Sequence, residues 1–138
     1  MNITVSRHDF KQAVSNDLKT QAIRNPEEAE PKLHNLLKEN PDNISANRLF
    51  TLCLCAQGKH EEALEHSREL LFPDQKNEAS FSIYVLALSQ AAASGKYEFG
   101  DLFEREAEEF KKLEIPRSKL KDAIHSTLYV DKLPKAGL

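Results

Sequence analysis

Residues 41–71, PDNISANRLFTLCLCAQGKHEEALEHSRELL, constrain the fold of this chain more than any other stretch. Asp42 and Asn43 stand ahead of an apolar run, and both are good N-caps because a short side-chain oxygen can accept from a free N–H of the first turn. Ala46, Leu49, Phe50, Cys53, Leu54 and Ala56 then recur at helical spacing. Gly58 ends that helix, since glycine enters the left-handed C-cap conformation without steric cost. After the Gly58-Lys59 turn a second helix sets Ala63, Leu64, Leu70 and Leu71 on one side, with Glu61, Glu62, Glu65 and Arg68 mostly on the other. Ala63 is the packing residue, small enough for two helices to approach closely. A helical hairpin of this size cannot bury its apolar face alone.

It therefore needs neighbours of its own kind, and the sequence holds them. Ala29 and Ala63 are 34 residues apart, as are Leu36 and Leu70, and Leu18, Leu52 and Leu86 form a series with the same step. The turn Gly58-Lys59-His60 recurs as Gly95-Lys96-Tyr97, late by three residues. A helix–turn–helix unit with this period resembles the tetratricopeptide repeat family. Its second half is met by Ala29, Leu33 and Pro41, and its first half loosely by Asn47, Phe50, Thr51 and Leu54, then by Phe81, Tyr84, Val85 and Leu88. Three places depart from the pattern: Asn47 and Ser67 stand where aromatics are usual, and Gly100 where the second-helix alanine falls. The resemblance spans residues 10–113. It implies an all-α fold, a right-handed superhelical stack of antiparallel helix hairpins closed by a C-terminal capping helix. One domain over residues 1–138 would hold repeat units at about 7–41, 42–75 and 76–114, a capping helix at 117–128 and a loose tail at 131–138.

The rest of the chain fits that scheme. A helix is expected over residues 7–23, capped by Ser6 with Asp9 and apolar at Phe10, Ala13, Val14, Leu18 and Ala22. Asn25-Pro26-Glu27-Glu28 is a strong helix start, with acids near the positive end of the dipole. Pro31 then leaves two options, a helix kinked near its start or one that begins nearer Pro31. In the third unit Asp74 or Asn77 caps a helix over residues 79–93, apolar nearly all round and so expected to be buried on more than one side. Residues 99–113 form its second helix, and Ile115-Pro116 breaks it.

The chemistry-bearing residues make no constellation. His60-Glu61-Glu62-Ala63-Leu64 starts like a zinc-protease helix, but Leu64 sits where the second histidine belongs and His66 is half a turn out of place. The five histidines are scattered and read as surface residues. Cys53 and Cys55 point to nearly opposite sides of one helix and read as small buried side chains. No glycine-rich phosphate loop is present, and the acid runs (Glu27/Glu28/Glu30, Glu61/Glu62/Glu65, Glu104/Glu106/Glu108/Glu109) read as solvated helix surface. No enzyme, cofactor or metal is expected. With net charge −3 and no lysine or arginine block, a nucleic-acid partner lacks its electrostatic footprint. No run is long and apolar enough to span a bilayer, and the first eleven residues lack the core of a signal peptide, so a cytoplasmic location is expected.

What remains is a protein-binding surface. The stacked repeats implied by the resemblance would line a concave groove with their first helices. Lys11, Val14, Leu18 and Gln21 would come from the first unit, Ser45, Arg48, Leu52 and Cys55 from the second, and Ala79, Ser82, Leu86 and Ser89 from the third. Some family members clamp a chaperone's terminal carboxylate on this face with lysines and asparagines. Here the corresponding residues are Val14, Leu18, Leu49, Ala79 and Ile83, so the clamp is absent. The expectation is an adaptor or chaperone that binds an extended or helical partner segment in an apolar groove, with Arg48 for an acid or a backbone carbonyl. The alternative is an assembly subunit whose leucine row is covered by its own C-terminal helix, a second copy or a larger complex.

Overall fold

The computed structural model describes residues 15–74, 76–113, 115–116 and 118–122. Among them are helices α1 (Asn16–Arg24), α2 (Pro26–Glu39), α3 (Ile44–Ala56), α4 (His60–Leu71), α5 (Glu78–Ala93) and α6 (Phe99–Glu109), with a 3-10 turn at Phe110–Lys112 and no strand. All-α architecture follows. Two compact units divide the chain, one ending at Ala63 and the other starting at Leu64.

In the first unit α1, α2 and α3 pack pairwise. Their core is Ala22, Ala29, Leu33, Leu36, Ala46, Leu49 and Cys53, with Leu18, Leu37 and Phe50 packed against it. The small residues Ala22, Ala29 and Ala46 are fully buried, which lets the three helix backbones approach. Each buried leucine contributes about 1.5–3 kcal/mol over an exposed one.

Helix α1 starts later than the apolar pattern implied. Ser15 is its N-cap, in extended backbone (φ −60°, ψ 149°), and its Oγ accepts from the Leu18 N–H at 3.2 Å. One continuous helix over 7–23 is therefore excluded, because a serine followed by Asn16 and Asp17 offers the first turn a better start than the apolar spacing suggested. Residues 7–14, with the expected Ser6 cap and Val14, lie outside the described residues. Helix α2 begins at Pro26, not near Pro31, and runs through Pro31 unbroken. Pro31 and Glu27 are both exposed, so water can satisfy the Glu27 carbonyl that the missing N–H leaves open.

The start and stop signals of α3 are realised as expected. Asn43 caps it by accepting from the Ala46 N–H at 3.0 Å. At its end the Gly58 N–H donates to the Cys55 carbonyl at 2.9 Å and the Lys59 N–H to the Leu54 carbonyl at 2.9 Å. This bond pair is a Schellman motif, made possible by Gly58 at φ 78°. Asn47, at the place of the family's aromatic, is only 1% exposed. It replaces ring volume with bonds: its Nδ2 donates to the carbonyls of Pro41 and Asn43, both at 2.9 Å, and so holds the loop ahead of the helix. Asn47→Ala is expected to cost about 1–2 kcal/mol by removing both hydrogen bonds of this buried amide. Chemical denaturation measures it, and a neutral result would mean the loop holds itself.

In the second unit Asn77, not Asp74, caps α5, accepting from the Ser80 N–H at 3.1 Å. Burial in α5 falls on one broad face (Phe81, Ile83, Tyr84, Ala87, Leu88, Ala91), not on several sides. Ser82 and Gln90 are exposed and Val85, Leu86 and Ser89 half-buried, so alanines and serines had thinned the polar face without hiding it. Gly95 repeats the positive φ of Gly58, at 79°. Beyond it, Glu98 caps α6, its carboxylate accepting from the N–H groups of Gly100 (3.0 Å) and Asp101 (2.8 Å). A Cβ at Gly100 would lie 3.1 Å from that carboxylate, so alanine, usual here in the repeat, would need the exposed Glu98 side chain to shift slightly. The expected helix over 99–113 tightens to 3-10 at Phe110, and Leu113 and Ile115 are buried beyond it. Residues 118–122 are helical, with Leu120 buried, and Lys119 reaches α5, 3.0 Å from Glu78 and 4.8 Å from the Phe81 ring centroid. The rest of the expected capping helix and the tail lie outside the described residues.

Candidate binding surface

Charge is divided unevenly among the helices. Arg48 is the one charged residue of α3 and Glu78 the one of α5, while α4 holds Glu61, Glu62, Glu65, Arg68 and Glu69 within twelve residues. Helix α6 is as crowded, with Asp101, Glu104, Arg105, Glu106, Glu108 and Glu109.

The nominated residues of the first unit lie on α1 and α3, which are in contact. Leu18 is half-buried against the core, and Gln21 accepts from Lys32 Nζ at 3.0 Å. Ser45 and Leu52 are half-buried and Arg48 is exposed, with no side-chain hydrogen bond or ion pair among the described residues. Cys55 differs from these: at 9% exposure it belongs to the packing and offers little open surface. In the second unit Ser82 is exposed and donates to the Ala79 carbonyl at 2.7 Å, while half-buried Ser89 donates to that of Val85 at 2.8 Å. Both hydroxyls are thus turned onto their own helix and retain acceptor capacity. Leu86 is half-buried between them in sequence.

Two polar clusters escaped the sequence reading. Glu106, expected on a solvated face, is 1% exposed. Its Oε1 accepts from Arg68 Nη1 at 2.6 Å and from the Tyr84 hydroxyl at 2.9 Å, and its Oε2 from Arg105 Nε at 3.3 Å. Arg105 also lies 5.5 Å from the Tyr97 ring centroid. Burial, reinforced by the Glu106 charge, pushes the Tyr84 hydroxyl far above its ordinary pKa, so it stays a donor. A signal for this was present: Leu102, Glu106 and Phe110 follow at four-residue steps, which sets Glu106 in the apolar stripe. With three donors on its two oxygens this carboxylate is a packing element, poorly placed to take a proton from a substrate.

The second cluster joins the end of α3 to the start of α2. Gln57 Nε2 donates to Glu30 Oε1 at 2.6 Å, Lys59 Nζ lies 3.0 Å from the same oxygen, and the Cys53 thiol donates to the Pro26 carbonyl at 3.1 Å. The Gln57 bond, with help from Lys59, holds the Glu30 carboxyl below its ordinary pKa against the opposing effect of partial burial. Folded Glu30 thus binds its proton less readily than in the unfolded chain. Its contribution is complete above the ordinary carboxylate pKa of about 4.3 and is lost as pH falls through its lower folded value. Glu30→Gln is expected to flatten the acid limb of the stability curve, measured by melting temperature against pH, and an unchanged limb would contradict the assignment. Burial raises both cysteines: Cys53, where the Glu30 charge adds to it, and Cys55, pushed up to about 11. His60, expected at the surface, is 7% exposed at the start of α4.

Among the described residues no group of three or more His, Cys, Asp or Glu is placed to hold a metal ion, and no helix is long and apolar enough to cross a membrane. Compared with protein families, residues 24–83 match the model described as tetratricopeptide repeat. The matched stretch ends before the late Gly95 turn and Gly100, where the period is stretched. Neither the curated proteins nor the solved structures contain a match.

Proposed function

Taking residues 24–83 as tetratricopeptide repeat, the assignment that their match supports, we propose that this chain is a non-enzymatic, adaptor- or chaperone-like module whose first helices hold an apolar segment of a partner protein. Tetratricopeptide repeats generally mediate protein–protein interaction, and the family is typically non-catalytic. The observation that carries the finer reading is the division of charge. Helices α3 and α5 hold one charged residue each yet leave Leu52 and Leu86 half-buried, while the acids crowd α4 and α6. Interface cores are depleted of charge in this way. In this reading Leu18, Leu52 and Leu86 supply apolar contact, Gln21, Ser45, Ser82 and Ser89 supply polar contact, and Arg48 takes an acid or a carbonyl. A cytoplasmic setting goes with it. The exposed Ile23 (57%) and Phe72 (62%) favour a second reading, an assembly subunit that associates with itself.

Leu52→Asp tests the first reading. The expected result is loss of the partner recovered with the unaltered chain, with a melting curve moved by no more than a surface change, about 0.5 kcal/mol. A variant that unfolds would make Leu52 core and remove the surface. A variant that keeps the partner would place binding elsewhere.

A further inference from the structure

We infer that a cleft between α4 and the end of α6 receives the C-terminal end of α1 from a second copy of this chain. The inference does not depend on the first-helix surface. The cleft measures about 300 Å³ and belongs wholly to the second unit. Phe72, just past α4, is 62% exposed beside it, and Leu113 is 9% exposed. Glu65 and Glu69 of α4 and Glu109 of α6 are exposed around them, and none makes an ion pair among the described residues. Arg68 also lines the cleft, turned onto Glu106, which it shares with Arg105, so the three exposed carboxylates outnumber the cations Lys112 and Arg68. The rim is therefore acidic around an apolar floor. It repels an anionic occupant and favours an apolar side chain carried beside a cation.

The chain itself presents that combination. Ile23 is 57% exposed, and Arg24 beside it in the last turn of α1 is exposed, with no ion pair among the described residues. Ile23 matches the Phe72–Leu113 floor, and Arg24 matches the carboxylates and the face of the Phe72 ring. The two patches differ, so each copy gives one end and receives another, and the contact either closes as a reciprocal pair or ring or runs on as an open chain. A small patch with one cation predicts weak association that salt suppresses.

Sedimentation and light scattering of the full chain over a wide concentration range, at low and high salt, test this. The expected result is a mass that climbs with concentration and falls back in salt. Arg24→Glu, Phe72→Ser and the pair Glu69→Arg with Glu109→Arg should each weaken association by about tenfold or more. Mixing the Arg24→Glu chain with the doubly reversed chain should restore a joint species. All four positions are exposed, so far-UV circular dichroism should not move. A single mass at every concentration overturns the inference, as does association that ignores Arg24→Glu and Phe72→Ser. Loss of association through Leu52→Asp alone would put the seam on the first helices and overturn it too. So would a chain that stays monomeric while the cleft takes a basic segment of another protein.

Discussion

Replacing Glu106 by alanine is expected to destabilise the chain by about 3–5 kcal/mol, the range for removing one partner of a buried ion pair. The size follows from what would be left behind. Arg68, Tyr84 and Arg105 all donate to this carboxylate, and the Tyr84 hydroxyl is buried with it. Without it a guanidinium at 23% side-chain exposure and a buried hydroxyl lose their acceptor together. Tyr84→Phe removes one donor and keeps the ion pair, so it should cost only about 1 kcal/mol. Replacing the group as a whole, Glu106→Leu with Arg68→Met and Tyr84→Phe, should recover much of the loss, because apolar residues of similar volume need no partners. Urea denaturation followed by circular dichroism distinguishes these. A loss below about 1 kcal/mol for Glu106→Ala, the size of an exposed pair, would mean that the carboxylate is hydrated.

Ala63→Leu is expected to destabilise by about 1–3 kcal/mol through overpacking. Ala63 and the next residue, Leu64, are both fully buried in α4, so three added carbons must displace protein atoms, not water. Alanine at this position follows the 34-residue step from Ala29, which is also fully buried. Ala63→Ser is the matching control, since it changes volume little. A melting temperature unmoved by Ala63→Leu would break the register on which the repeat rests.

Local signals were the legible ones. Asn43, Asn77, Gly58 and Gly95 each decide an element boundary through a bond or a backbone angle within a few residues, and each does so where the sequence implied. At the start of α1 the Ser15 cap prevails over the helical spacing of Phe10, Ala13, Val14 and Leu18, which by itself implies a longer helix. Tertiary context hid more. Glu106 occupies a core position of α6 that its own chemistry disguises, and only Arg68 and Tyr84, 38 and 22 residues away, make it tolerable there. Of the residues nominated for the first-helix surface, Arg48 is exposed and Leu52 and Leu86 are half-buried, while Cys55 on the same helix as Arg48 and Leu52 is buried. Periodicity assigns a helix face. It does not measure depth.

The two thiols of α3 also make the chain its own reporter. Cys53 is 0% and Cys55 9% exposed, both are free, and burial holds both in the unreactive protonated form. An alkylating reagent can therefore modify them at speed only during moments when α3 comes away from its surroundings. Because Cys53 belongs to the α1–α2–α3 core and donates to Pro26, its labelling rate counts openings of that unit in a chain with no engineered probe. A ligand that grips α1 and α3 would slow that clock, and its occupancy could be followed by mass alone.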